Sequence, residues 1–172
     1  MILEAVKKTA AATRKLTDSE QASIGELARS LDQNEITVLR QQILGATNSA
    51  DQRNAALYLL TQAGSNSLEA LAIIAASPIF EGASEGASRG EPPENSRRRK
   101  FETSLRVTAL LALDSFAGSQ GDLISQYMHQ VLEKQSEPTL QFLAQVSSTG
   151  IASGRPGKLE RLVLTIGMHG DN

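Results

Sequence analysis

The sequence predicts an all-α protein of stacked antiparallel helix pairs, with about seven to nine helices in a chain of 172 residues. Three observations carry that expectation. No segment sustains the period-2 alternation of a half-buried strand. Aromatic residues make up only 3% of the chain, with no Trp, two Tyr and four Phe, so the core must be built from Leu, Ile, Val and Ala; Ala and Leu lose little on entering a helix. Two segments are apolar almost all round the helix, where a surface helix shows a single stripe.

The first segment, residues 2–16, reads as a weak, Ala-rich helix with a largely polar surface. Thr17, Asp18 and Ser19 are cap residues, and Glu20 or Gln21 about three positions on completes a capping box. Ile24, Leu27, Ala28 and Leu31 follow at helical spacing. Asn34 or Asp32 caps the next helix, with Ile36, Leu39, Ile43 and Leu44 on its apolar side and Gly45 and Asn48 as its stop. Ser49 caps DQRNAALYLLTQAG, the first of the all-round helices, and Gly64 ends it in the left-handed conformation other residues resist. After a short turn at residues 65–67, SLEALAIIAAS forms the next helix up to Pro78. So short a turn predicts that these two helices form an antiparallel hairpin.

Residues 78–96 are rich in Gly, Ser, Pro and Glu, and read as a mobile surface loop. Ile79 and Phe80 either tether it or anchor a partner, and tethering is favoured. The second all-round helix lies in RRRKFETSLRVTALLALDSFAG, with Leu105, Ala109, Ala112, Leu113 and Phe116 on one face, Val107, Leu110, Leu111 and Ala117 on the rest, and Gly118 at its end. Asp122 caps LISQYMHQVLEK, Pro138 opens TLQFLAQVSSTGIA, and SGRPG links it to KLERLVLTIG.

The two all-round helices align without a gap. Arg53 falls on Arg106, Ala56 on Ala109, Leu57 on Leu110 and Leu60 on Leu113, an offset of 53 residues. Less the loop, the unit is close to the roughly 40 residues of paired-helix solenoid repeats. The pattern Asp51-x-Arg53-x-Ala55-Ala56-Leu57-x-x-Leu60, answered by Leu105-Arg106-x-x-Ala109-Leu110-x-x-Leu113, resembles the HEAT-repeat family across residues 34–168. The second copy departs from the first in lacking an acid two residues before its arginine. The resemblance implies one domain over residues 1–172, a short right-handed α-solenoid: N-terminal capping helices at 1–33, repeats at 34–77 and 97–168, the loop insertion at 78–96 and a tail at 169–172. Apart from the family, a two-helix hairpin cannot bury its apolar surface alone, so helices stacked on both sides should be apolar all round. A compact helical bundle is the competing architecture.

Composition limits the function. Seventeen basic and 19 acidic residues leave a net charge of −2, against the basic excess of a dedicated nucleic-acid binder. With no cysteine, disulfides, thiolate chemistry and zinc–thiolate sites are excluded. No apolar run approaches the length of a membrane span. No basic region followed by a long apolar run opens the chain, so a cytoplasmic location is expected, with a processed exported form left open. The sequence carries no G-x-S-x-G, P-loop, H-E-x-x-H or dinucleotide glycine pattern, and neither His129 nor His169 has a partner at metal-ligand spacing. No catalytic residue, metal or cofactor is expected.

The leading expectation is therefore a protein–protein interaction module that binds a partner segment on the second helix of each pair, through Glu69, Gln126, Gln130 and Glu133. The run Arg97-Arg98-Arg99-Lys100 is a further candidate for phosphate, nucleic acid or an acidic partner. Its plainer reading is a solvated helix end, or neutralisation by Glu81, Glu85, Glu91 and Glu94. Four cations in a first turn oppose the helix dipole, so that helix either starts earlier, at Pro92 or Pro93, or faces those acids. Only Phe101 accompanies the run, which gives base stacking little support. Arg53 and Arg106 are expected to be structural, paired with an acid or with helix carbonyls. The family resemblance also implies a second class: HEAT-like enzymes such as chromophore lyases, or DNA glycosylases with a basic groove.

Overall fold

The computed structural model describes residues 16–79 and 93–165, together with Glu4, which is helical and exposed. The expected helix at 2–16 and most of the loop at 78–96 lie outside the described residues, as do His169 and the tail. Within them the chain is all-α, with eight α-helices and no strand: α1 (Asp18–Arg29), α2 (Gln33–Leu44), α3 (Ala50–Gln62), α4 (Leu68–Ala76), α5 (Pro93–Asp114), α6 (Gly121–Lys134), α7 (Pro138–Ala152) and α8 (Leu159–Thr165). The chain divides into two compact units, residues 1–74 and 75–172, with the boundary inside α4.

Local chemistry sets most of the helix starts. Thr17 accepts from the Glu20 amide while the Glu20 carboxylate accepts from the Thr17 amide. Asp32 and Glu35 make the same reciprocal box at α2. The Ser49 hydroxyl accepts from the Gln52 amide at α3, and Pro138 occupies the first turn of α7. The three side-chain caps satisfy amides that a helix N-terminus otherwise leaves without a partner, and Pro138 has no amide to satisfy. Helix α6 departs from expectation: its cap position is Gln120, with no side-chain cap bond, and Asp122 sits inside the first turn, where its carboxylate complements the dipole.

The ends follow the same logic with one correction. Gly64 takes φ +73 after α3, as a left-handed stop requires. Gly118 has no such role. Helix α5 ends four residues earlier at Asp114 and unwinds through i→i+3 bonds from Phe116 to Leu113 and from Ala117 to Asp114. Its other end lies at Pro93, so the cations at 97–100 stand beyond the first turn and do not oppose the dipole there.

In the first unit α3 packs against both α1 and α2. That explains its greasy circumference: Ala55, Ala56, Leu57, Leu59, Leu60 and Ala63 are all buried, Leu57 to 3% exposure. In the second unit α7 packs on α6, α5 and α8, and α5 also meets α8. On α5, Leu105, Val107, Ala109, Leu110 and Leu113 are buried. The closest helix pairs are α2 with α3 and α6 with α7. The sequence had paired α3 with α4 and the second all-round helix, α5, with α6. Between α3 and α4 the chain winds through a turn of 3-10 helix, Gly64–Ser67.

Candidate interaction surface

The buried polar residues explain how the surface helices are held. Arg53, on α3, donates from Nε to the Ile43 carbonyl at 2.6 Å, at the C-terminal end of α2. Arg106, on α5, donates from Nε to the Ser77 carbonyl at 2.7 Å and from its terminal nitrogens to Pro78 O at 3.0 Å and Glu102 O at 2.8 Å. Two of these acceptors lie just beyond the end of α4. Both arginines thus place a cation where unsatisfied carbonyls concentrate partial negative charge, and both are structural. Arg106 also has an acid of its own: the Glu102 carboxylate, buried one turn back, accepts from it at 3.1 Å.

A third helix repeats the device. Gln141, on α7, donates from Nε2 to the Gln135 carbonyl at 2.7 Å, where α6 ends. Three residues after each donor stands a fully buried alanine: Ala56, Ala109 and Ala144. Gln141 lies 35 residues after Arg106. This copy is hard to see in the sequence because glutamine replaces arginine and Ser148 stands where the others have Leu60 and Leu113. The signal was present in the Gln-x-x-Ala spacing.

Two further residues were missed. Gln135 is buried and bridges elements of the second unit: its Nε2 donates to Ala75 O at 2.9 Å and Ser77 O at 3.0 Å, and its Oε1 accepts from the Glu137 amide at 3.2 Å. Asp114, also buried, accepts from the Ser147 hydroxyl on α7 and, at 2.9 Å, from the Leu159 amide that opens α8. It caps α8 across 45 residues of chain, and no local sequence rule finds a cap at that distance.

The structure separates the candidate contact residues. Gln126, Gln130 and Glu133 are exposed on α6 at the i, i+4, i+7 spacing of one helix face, and the opposite side buries Ile124, Met128 and Val131. His129 shares the exposed side, its Nδ1 2.8 Å from the Ser125 carbonyl. On α5, Arg97, Arg98 and Lys100 are exposed, while Arg99 is only partly so and reaches Glu137, ahead of α7, at 3.8 Å. Glu69 is exposed in the first turn of α4 and belongs to the first unit. Phe142 on α7 is 52% exposed, a large apolar surface that no sequence pattern singles out.

No helix among the described residues is long and apolar enough to cross a membrane, and no cluster of three or more His, Asp or Glu among them is placed to hold a metal ion. No protein-family model matches the chain, and none of the curated proteins or solved structures matches it either.

Proposed function

We propose that this chain is a non-catalytic protein-interaction module, a short right-handed HEAT-like solenoid that holds a segment of a partner protein on its outer helix faces. The observation that carries this reading is the recurrence of one tying device. Arg53, Arg106 and Gln141 each reach back to the C-terminal end of the preceding helix, and each is followed three residues later by a fully buried alanine. Repeats stabilised by such neighbour contacts are a stack whose cohesion comes from inside, which leaves the outward positions free for recognition. The α6 face supplies suitable groups there. The amides of Gln126 and Gln130 both donate and accept, as recognition of an extended peptide backbone needs, and Glu133 adds a charge.

The test is a photo-cross-linking residue in place of His129, on the same face, used to trap partners from lysate of the source cell. One dominant protein adduct is expected, and it should disappear when Gln126→Ala, Gln130→Ala and Glu133→Ala are combined. Absence of an adduct, or an adduct indifferent to those three changes, would overturn the reading.

A further inference from the structure

The outer face of α5 differs in kind from that of α6. From Ser96 to Asp114 every exposed residue of α5 is a cation or a hydroxyl: Arg97, Arg98, Lys100, Ser104 and Thr108. From Ser96 to the end of the helix its two acids are both buried and engaged, Glu102 with Arg106 and Asp114 with Ser147 and Leu159. Arg97, Lys100, Ser104 and Thr108 follow the i, i+3, i+7, i+11 spacing of one stripe. No described carboxylate pairs with Arg97, Arg98 or Lys100; Arg99 alone has one, Glu137. The half-buried Phe101 and Leu111 fall on the same side by helical spacing and add apolar contact. On α6, by contrast, exposed acids stand among amides at Asp122 and Glu133.

From this segregation we infer that the α5 face docks an acidic protein segment, one whose carboxylates alternate with apolar side chains. The inference rests on the protein-binding reading above and supplies the partner's chemistry. Guanidinium groups pair carboxylates in bidentate geometry, and the apolar flanks match the side chains between those carboxylates. A nucleic acid fits less well. Three cations within four residues reach about three phosphates, too few for strong binding at physiological salt, and the net charge is −2.

The experiment uses the full chain and fluorescence anisotropy with three labelled probes: a decapeptide of alternating Glu and Leu, the same peptide with Gln for Glu, and a single-stranded DNA decamer. The acidic peptide should bind, and should bind at least about tenfold more weakly to the combined variant Arg97→Glu, Arg98→Glu, Lys100→Glu. Glu is as good a helix former as Arg or Lys, so the variant should keep its helical circular dichroism. The charge-neutral combination Arg97→Gln, Arg98→Gln, Lys100→Gln serves as a second test should the reversal unfold the chain, and it too should weaken binding of the acidic peptide. The α6 triple alanine variant should bind the acidic peptide as the parent does. DNA binding as tight as that of the acidic peptide, equal binding of the Gln peptide, or no binding of the acidic peptide would each overturn the inference. A cross-link at the α6 face would survive any of these results, so the two readings fail separately.

Discussion

Asp114 shows how much structure one buried carboxylate can organise. It ends α5, accepts from Ser147 on α7 and caps the first amide of α8. Removing it strands a buried hydroxyl and a helix-end amide, each costing about 1–3 kcal/mol when left without a partner. Asp114→Ala should therefore lower the stability of the second unit by about 2–4 kcal/mol, read as a shift of the urea midpoint, and should raise amide exchange in α8 most. Unchanged exchange in α8 would show that the Leu159 contact does not hold that helix. Gln135 works in a similar way, with both ends of its amide engaged. None of these residues had a visible role in the sequence, because their partners are set by tertiary folding over separations of 33 to 60 residues.

At the scale of the helix, much more was legible. The Thr17–Glu20 box, the cap at Asp32, the Ser49 cap, the Gly64 stop and Pro138 at the start of α7 are all local devices, and the structure contains each of them. Their energetics are equally local. Asp32→Ala should cost about 1 kcal/mol, measured in thermal or urea unfolding, while Asp32→Asn should be nearly neutral; equal loss from both would point to charge and not to capping. The illegible part was helix pairing. Apolar positions all round α3 announced that it is packed on several sides but not by which helices. Turn length suggested α4, whereas α1 and α2 are the observed neighbours. Glycine misled at position 118 for a related reason: the end of α5 is decided by the buried bonds of Asp114, not by the nearest glycine.

At the scale of the molecule, the repeat is the claim on which the rest depends. Two copies were readable from Arg53 and Arg106 with their alanines. A third tie of the same form, from Gln141 to the end of α6, is set by tertiary contact. The candidate surface was legible as exposed polar residues on α6 and cations on α5, but not as one patch. The structure keeps Gln126, Gln130 and Glu133 together on one helix and the cations on another, with Glu69 in the other unit.

The most direct measurement is urea unfolding of Arg53→Met and Arg106→Met beside Arg97→Met, an exposed control. Methionine keeps the apolar stem and removes only the donors. If the two buried arginines serve as ties, each replacement strands helix-end carbonyls and should cost about 2–4 kcal/mol, with Arg106→Met at the upper end because it also leaves the buried Glu102 carboxylate without its cation, whereas the control should stay within about 0.5 kcal/mol of the parent. Unfolding of both buried-site variants at the parent midpoint would contradict the account.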